Sequence, residues 1–132
     1  MTKIVLDTNI LISAALTEEG NSSKIINMVL NGELAVFFSE DIMKEYTDVF
    51  SRPKFRALTD LSNVFINGFK VVGNIIEPER SNIHLPDESD RIFYDAAKCA
   101  GALLITGNTK HFPSESFILH PAVFLKSIDP AI

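Results

Sequence analysis

Lys3-Ile4-Val5-Leu6-Asp7-Thr8-Asn9 is the stretch on which the reading of the fold turns. The apolar run 3–6 reads as a buried strand, stopped by three polar residues that can cap a following helix, expected to begin about Ile10. The same rhythm continues down the chain. After a break at Gly20-Asn21-Ser22-Ser23, Ile25, Ile26, Val29 and Leu30 mark a helix closed by Asn31-Gly32. Residues 34–38 form a second apolar strand, of the continuous kind expected when both faces are covered. Ser39 then caps a helix carrying Ile42, Met43, Tyr46, Val49 and Phe50, which Arg52-Pro53 ends. Leu61, Val64, Phe65, Val71 and Val72 set the period of another helix, expected to break at Gly68 and close near Gly73. A short strand over 74–77 and a polar loop over 78–86 follow. Asp87 caps a helix with Phe93, Ala96, Ala97 and Ala100 on one face, and Gly101 ends it. Residues 102–106 are the fourth strand and 117–119 a fifth, and Pro121 suits the first position of a last helix. Strands separated by helices in this way imply a mostly parallel sheet with helices on both faces.

The chain has 132 residues, which fits one domain over 1–132 and leaves no room for a second core. Its mean hydropathy of +0.17 points to a well-buried core rather than disorder. Twelve Lys+Arg against seventeen Asp+Glu leave a net charge of -5, a poor footprint for holding duplex DNA by charge alone. Nucleic acid stays open, because an acidic site filled with cations can meet phosphate through a metal. One cysteine, Cys99, excludes a disulfide framework and a zinc site built on several thiolates. It reads as a half-buried helix residue, not a nucleophile. No apolar run approaches the ~20 residues of a membrane span, and Asp7 comes too early for a signal peptide. The expectation is a soluble, cytoplasmic protein.

In a parallel α/β sheet, ligands meet the carboxyl ends of the strands. Asp7 follows the first strand, and Thr106 and Asn108 follow the fourth, on the same edge. Alone, Asp7-Thr8-Asn9 reads equally as a helix cap. Asp90, Phe93 and Ala97 fall on one helical stripe, so Asp90 is an acid on an inward face, costly unless paired or metal-bound. Asp95 lies about 200° round the same helix from Phe93 and is expected to face water. Asp87 reads most simply as the cap. Glu45 flanks an apolar stripe with Ile42 and Val49, whereas Glu40, Asp41 and Asp48 point away; alone, Glu45 reads as a surface acid. Gathered together, Asp7, Glu45 and Asp90 raise one another's pKa unless a cation neutralises them. With Asn108 as a further oxygen donor and no His or Cys in the set, the ion is Mg²⁺ or Mn²⁺ rather than zinc.

These residues resemble the PIN-domain nucleases. Asp7-Thr8-Asn9 after the first strand, Glu45 on a mid-chain helix, Asp87-Glu88-Ser89-Asp90-Arg91-Ile92-Phe93 and Thr106-Gly107-Asn108 carry the likeness. It is closest to the VapC-like toxins of bacterial and archaeal toxin–antitoxin pairs, and it covers nearly the whole chain, through Lys110-His111-Phe112-Pro113 to 120–125. The resemblance implies a three-layer α/β/α fold with a central sheet of four to five strands and metal-dependent hydrolysis of single-stranded RNA. By position it makes Asp7, Glu45 and Asp90 the catalytic acids, holding Mg²⁺ or Mn²⁺ with Asn108. Thr8 and Asn9 would orient Asp7, and Thr106 would line the site. Many relatives have Asp where Asn108 stands, so a second metal should bind less tightly here, with Asp87 or Asp95 able to compensate. Lys110 and His111 either contact substrate phosphates or stand as exposed loop residues. A homodimer and a small antitoxin partner are implied as well.

Two other readings compete. A phosphorelay receiver domain also gathers acids and Mg²⁺ on a parallel sheet, but there an acid pair should follow strand one, where this chain has one Asp. A degenerate nuclease fold kept as an RNA- or protein-binding module draws its support from Asn108; three intact acids argue against it.

Overall fold

Ile4, Val5 and Leu6 are fully buried, because β1 (Lys3–Leu6) runs through the middle of the sheet with apolar side chains on both faces. The computed structural model describes residues 1–128. The remaining elements are α1 (Thr8–Leu16), α2 (Asn21–Leu30), β2 (Ala35–Phe38), α3 (Glu40–Phe50), α4 (Thr59–Val72), β3 (Asn74–Ile75), α5 (Arg91–Ala100), β4 (Leu103–Ile105), β5 (Ile118–Leu119) and α6 (Pro121–Ile128). Short 3-10 turns cover Pro53–Leu58, Glu88–Asp90 and Thr109–His111.

The five strands lie in the order β3-β2-β1-β4-β5, and every neighbouring pair is parallel. Helices flank this sheet in the expected α/β arrangement. Ile4 stands between Val36 and Leu103, and Leu6 aligns with Ile105. From β1 the chain moves to β2 on one side and later to β4 on the other. The β1–β4 boundary is therefore a switch point, where helices diverge and a crevice opens beyond the strand ends. Asp7 and Thr106 occupy that point, tied in by Asp7 N–H donating to the Ile105 carbonyl at 3.0 Å.

Local chemistry explains the helix ends. Ser39 Oγ accepts from Ile42 N–H at 3.1 Å and caps α3. Gly101 ends α5 with φ +63°, a left-handed conformation that glycine adopts without a Cβ penalty. Pro121 opens α6, as expected.

Several sequence expectations need correction. Helix α1 begins at Thr8 rather than near Ile10; Asp7 holds the cap position, but its side chain makes no cap hydrogen bond and is left for the crevice. Helix α4 runs through Gly68 without a break, and Gly68 packs against Leu30, whose Cδ2 fills the space a Cβ would need. Its inward stripe is Ser62, Phe65, Ile66 and Phe69, whereas Leu61, Val64, Val71 and Val72 are exposed. Aliphatic residues on two adjoining stripes made the sequence period ambiguous. Asp87 caps the 3-10 turn Glu88–Asp90 rather than α5 itself. Cys99 is exposed, not half-buried. Asp95 does not face water: it is 7% exposed, beneath the segment 77–83, and accepts from Ser81 N–H at 3.1 Å. Angular position on an isolated helix cannot anticipate an irregular segment laid across its outer face.

Candidate active site

Each acid at the strand ends arrives on a different element. Asp7 leaves β1, Glu45 lies in the middle of α3, and Asp90 ends the 3-10 turn that leads into α5. The end of β1 is held by Tyr46, whose buried hydroxyl donates to the Leu6 carbonyl at 2.6 Å. A buried tyrosine needs such a partner, so the residue next to Glu45 also fixes the residue next to Asp7. The Tyr46 ring stands 6.4 Å from Phe93 of α5, joining the third element to this support.

Asp7 is buried, and desolvation pushes its carboxyl above the ordinary value. Opposing that rise, Thr106 Oγ1 donates to Asp7 Oδ2 at 2.7 Å, and the backbone N–H groups of Thr8 and Asn9 lower it further. Asn9 Nδ2 donates to the same Oδ2 at 3.3 Å, while its Oδ1 accepts from Gly107 N–H at 3.2 Å. Asn9 and Thr106 therefore orient Asp7. Thr8 does not do so through its side chain, because its buried Oγ1 has no hydrogen-bond partner. Thr8 acts on Asp7 through its backbone N–H instead.

Burial, then the charges of Asp7 and Asp87, push Asp90 up to about 6. Its Oδ2 is buried without a hydrogen bond; His111 Nδ1, at 3.5 Å, lies at ion-pair range only. Glu45 is half-buried, and desolvation raises it, opposed by Arg52 and reinforced by Asp7, Asp48 and Asp87. The charge of Asp7 thus acts on both Asp90 and Glu45, and so does that of Asp87. Asp87 itself is held below its ordinary value by Ser89, whose N–H and Oγ both donate to Oδ1. Sequence reasoning read Asp87 as the cap of α5 and as able to compensate at the fourth acidic position; it caps the preceding turn instead, and its charge reaches Asp90 and Glu45. Its spacing of three residues before Asp90 was the available signal.

The other expected site residues divide. Asn108 is exposed, its backbone N–H donating to Thr106 Oγ1 at 3.0 Å, and its side chain makes no hydrogen bond among the described residues. His111 stands beside Asp90, whereas Lys110 lines a separate hollow with Phe112, Pro113 and Glu115. Asp95 is anchored to Ser81 and has no part in the acid field of Asp7 and Asp90.

Sequence reasoning also passed over Arg91. It is buried, and its guanidinium donates to both Glu88 oxygens, to the Ser81 carbonyl and Oγ, and to the Ile83 carbonyl. This fork ties the irregular 78–86 segment to the turn that presents Asp90. The pair holds Glu88 down to about 2, chiefly through the hydrogen bond from Arg91.

The donor set suits a hard divalent cation: oxygen ligands, mutually repelling acids, and an orphaned carboxylate oxygen on Asp90. Among the described residues, no three His, Cys, Asp or Glu side chains come close enough to enclose a metal ion. Mg²⁺ tolerates such a site, because it keeps several waters and commonly takes one or two carboxylates together with substrate phosphates.

Comparison with known proteins agrees with this architecture. The sequence profile of the PIN domain matches residues 3–110. Over 109 residues the chain is 30% identical to the uncharacterized protein MJ1680 of Methanocaldococcus jannaschii, covering 80% of this chain and 70% of that one. Among solved structures, PAE2754 from Pyrobaculum aerophilum superposes with a TM-score of 0.61 at 14% identity, covering 98% of each chain. VapBC2 from Rickettsia felis, bound to a DNA fragment from their promoter, gives 0.55 at 16% identity, covering 85% of this chain and 94% of that one. At these identities the two structures establish a shared fold. Among the described residues no helix is long and apolar enough to cross a membrane.

Proposed function

Because the chain belongs to the PIN-domain family, whose members are generally nucleases, we propose that it is a Mg²⁺- or Mn²⁺-dependent endoribonuclease that hydrolyses single-stranded RNA. Its biological setting in this reading is the toxin of a toxin–antitoxin pair, working in the cytoplasm as a homodimer restrained by an antitoxin protein. The solved VapBC2 pair, which shares the fold, supports that setting.

The observation that carries the chemistry is the buried, unpartnered Oδ2 of Asp90, whose carboxyl feels the charge of Asp7 at the end of β1. Asp7 and Asp90 would hold the ion, with Glu45 at the edge of the same field as a ligand or as the base that orients water, and Asn108 or Asp87 beyond it. When bound, a divalent cation polarises the phosphate and eases deprotonation of water. Thr106 and Asn9 keep Asp7 in one rotamer and favour its ionised form. Tyr46 keeps the end of β1 in place against α3, and with it the spacing between Asp7 and Glu45. The His111 ring stands beside Asp90, where it can meet a substrate phosphate. Attack by water leaves the ribose 2′-OH unused, so products carry 5′-phosphate and 3′-hydroxyl ends.

The test is cleavage of labelled single-stranded RNA in Mn²⁺, in Mg²⁺ and in EDTA, with Asp7→Asn run in parallel. Cleavage that needs metal and is lost in the variant is the expected result. Identical behaviour of the two proteins would remove the nuclease reading. Metal binding without cleavage would instead favour a degenerate binding module.

A further inference from the structure

Three of the twelve Lys+Arg residues fall within five positions, Arg52, Lys54 and Arg56, in a chain whose net charge is -5. All three are exposed. Among the described residues no acidic side chain lies within ion-pair distance of any of them; the acids nearest in sequence are Asp48 and Asp60. Arginines and lysines left unpaired on an acidic surface are available to an external anion.

The support beneath them is ordered. Arg52 N–H donates to the Val49 carbonyl at 3.2 Å and closes the turn beyond α3, where Arg52 itself takes an extended conformation. Arg52 thus stands just past the carboxyl end of the helix whose middle carries Glu45. Pro53 opens the 3-10 turn Pro53–Leu58, whose Phe55 N–H donates to the Arg52 carbonyl at 2.9 Å. The Phe55 ring packs 6.3 Å from Phe50, and Thr59 Oγ1 donates to the Arg56 carbonyl at 2.8 Å. The cations therefore project from a pinned turn. When a ligand is captured, side-chain freedom rather than backbone freedom remains to be lost. Arg52 is also the strongest charge acting on Glu45 to lower it, which places it at the margin of the acid field.

We propose that Arg52, Lys54 and Arg56 form a phosphate-binding strip that receives the RNA backbone on the Glu45 side of the acid crevice. The assignment rests on the RNA reading above and extends it to the path of the strand. The acids alone repel a polyanion. Arginine matches a phosphate with two parallel N–H donors, and Lys54, whose ammonium lies 5.1 Å from the centre of the Phe55 ring, adds a point charge.

The test separates binding from cleavage. Wild type in EDTA is titrated with a labelled single-stranded RNA by fluorescence anisotropy over a salt series, alongside the triple variant Arg52→Gln/Lys54→Gln/Arg56→Gln. Each phosphate contact to a single strand contributes about 0.7 to the slope of log K against log salt, so the variant's slope should be shallower by about 2. Its affinity at low salt should fall at least about tenfold. A control, Lys24→Gln/Lys126→Gln, removes exposed cations from α2 and α6 and should leave the slope unchanged. Circular dichroism and thermal melting check that both variants fold. Equal slopes for wild type and the triple variant overturn the strip, as does a control that loses as much, or no RNA binding by wild type at any salt. A wild type that shows the slope difference yet never cuts RNA would overturn the nuclease reading and leave the strip standing.

Discussion

Thr106 Oγ1 donates to Asp7 Oδ2 at 2.7 Å, joining the ends of two neighbouring parallel strands across 99 positions of sequence. Thr106 is fully buried, and the same oxygen accepts from Asn108 N–H, so its proton is directed toward the carboxylate. Thr106→Val keeps the shape and removes that donor. Cleavage by the variant should fall about 10- to 100-fold, the usual cost of losing a partner that orients a metal-binding group. Thr106→Ser should restore most of it. Rates measured over a range of Mn²⁺ concentrations would show the loss as weaker apparent metal affinity.

Asp90 gives the metal-free protein a stability that depends on pH. Its carboxyl titrates at about 6 in the fold against an ordinary 3.8. Between those values the folded state holds more protons than the unfolded one, so stability is lost as pH rises through the window. The penalty is absent below about pH 4 and complete above about pH 7. In EDTA, Asp90→Asn should therefore melt higher than wild type above the window and match it below. Added Mn²⁺ should raise the melting temperature of wild type and leave that of the variant nearly unchanged. An Asp90→Asn protein that melts lower than wild type at neutral pH would contradict this account.

Asn108 and Asp87 offer two sources for a fourth oxygen. Asn108 is exposed and its side chain is unengaged, while the charge on Asp87 reaches both Asp90 and Glu45. Asn108→Asp should tighten Mn²⁺ binding about tenfold or less, because an exposed carboxylate is well screened. Asp87→Asn should weaken binding and move the titration of Asp90 downward, since one of the two charges raising it is gone. Isothermal titration with Mn²⁺ and carboxyl NMR titration separate the two effects.

Arg91 should behave as a structural strut. Arg91→Met leaves the Ser81 and Ile83 carbonyls and the Glu88 carboxylate without their shared donor. Segment 78–86 should then open, and limited proteolysis within it should accelerate by about an order of magnitude. Arg91→Lys should rescue little, because an ammonium cannot reproduce a planar fork serving five acceptor atoms on three residues. Unchanged protection of the segment would show that its apolar contacts, led by buried Leu85, suffice.

The strand–helix alternation, the order of elements and the identity of Asp7, Glu45 and Asp90 as candidates could be read before any coordinate, because apolar period and capping residues act over a few positions. Ser39, Gly101 and Pro121 behave in the fold as their local chemistry requires. Tertiary contact decided the rest. Asp95 is buried because residues 77–83 cross its helix, and α4 passes through Gly68, where Leu30 occupies the space of a side chain. Asp87 joins the acid field, Tyr46 pins Leu6, and Arg91 holds a distant segment, each through groups separated in sequence. Local periodicity states which face of an element is apolar. Which polar group lies opposite a carboxylate, and how much water remains between them, follows only from how the elements pack.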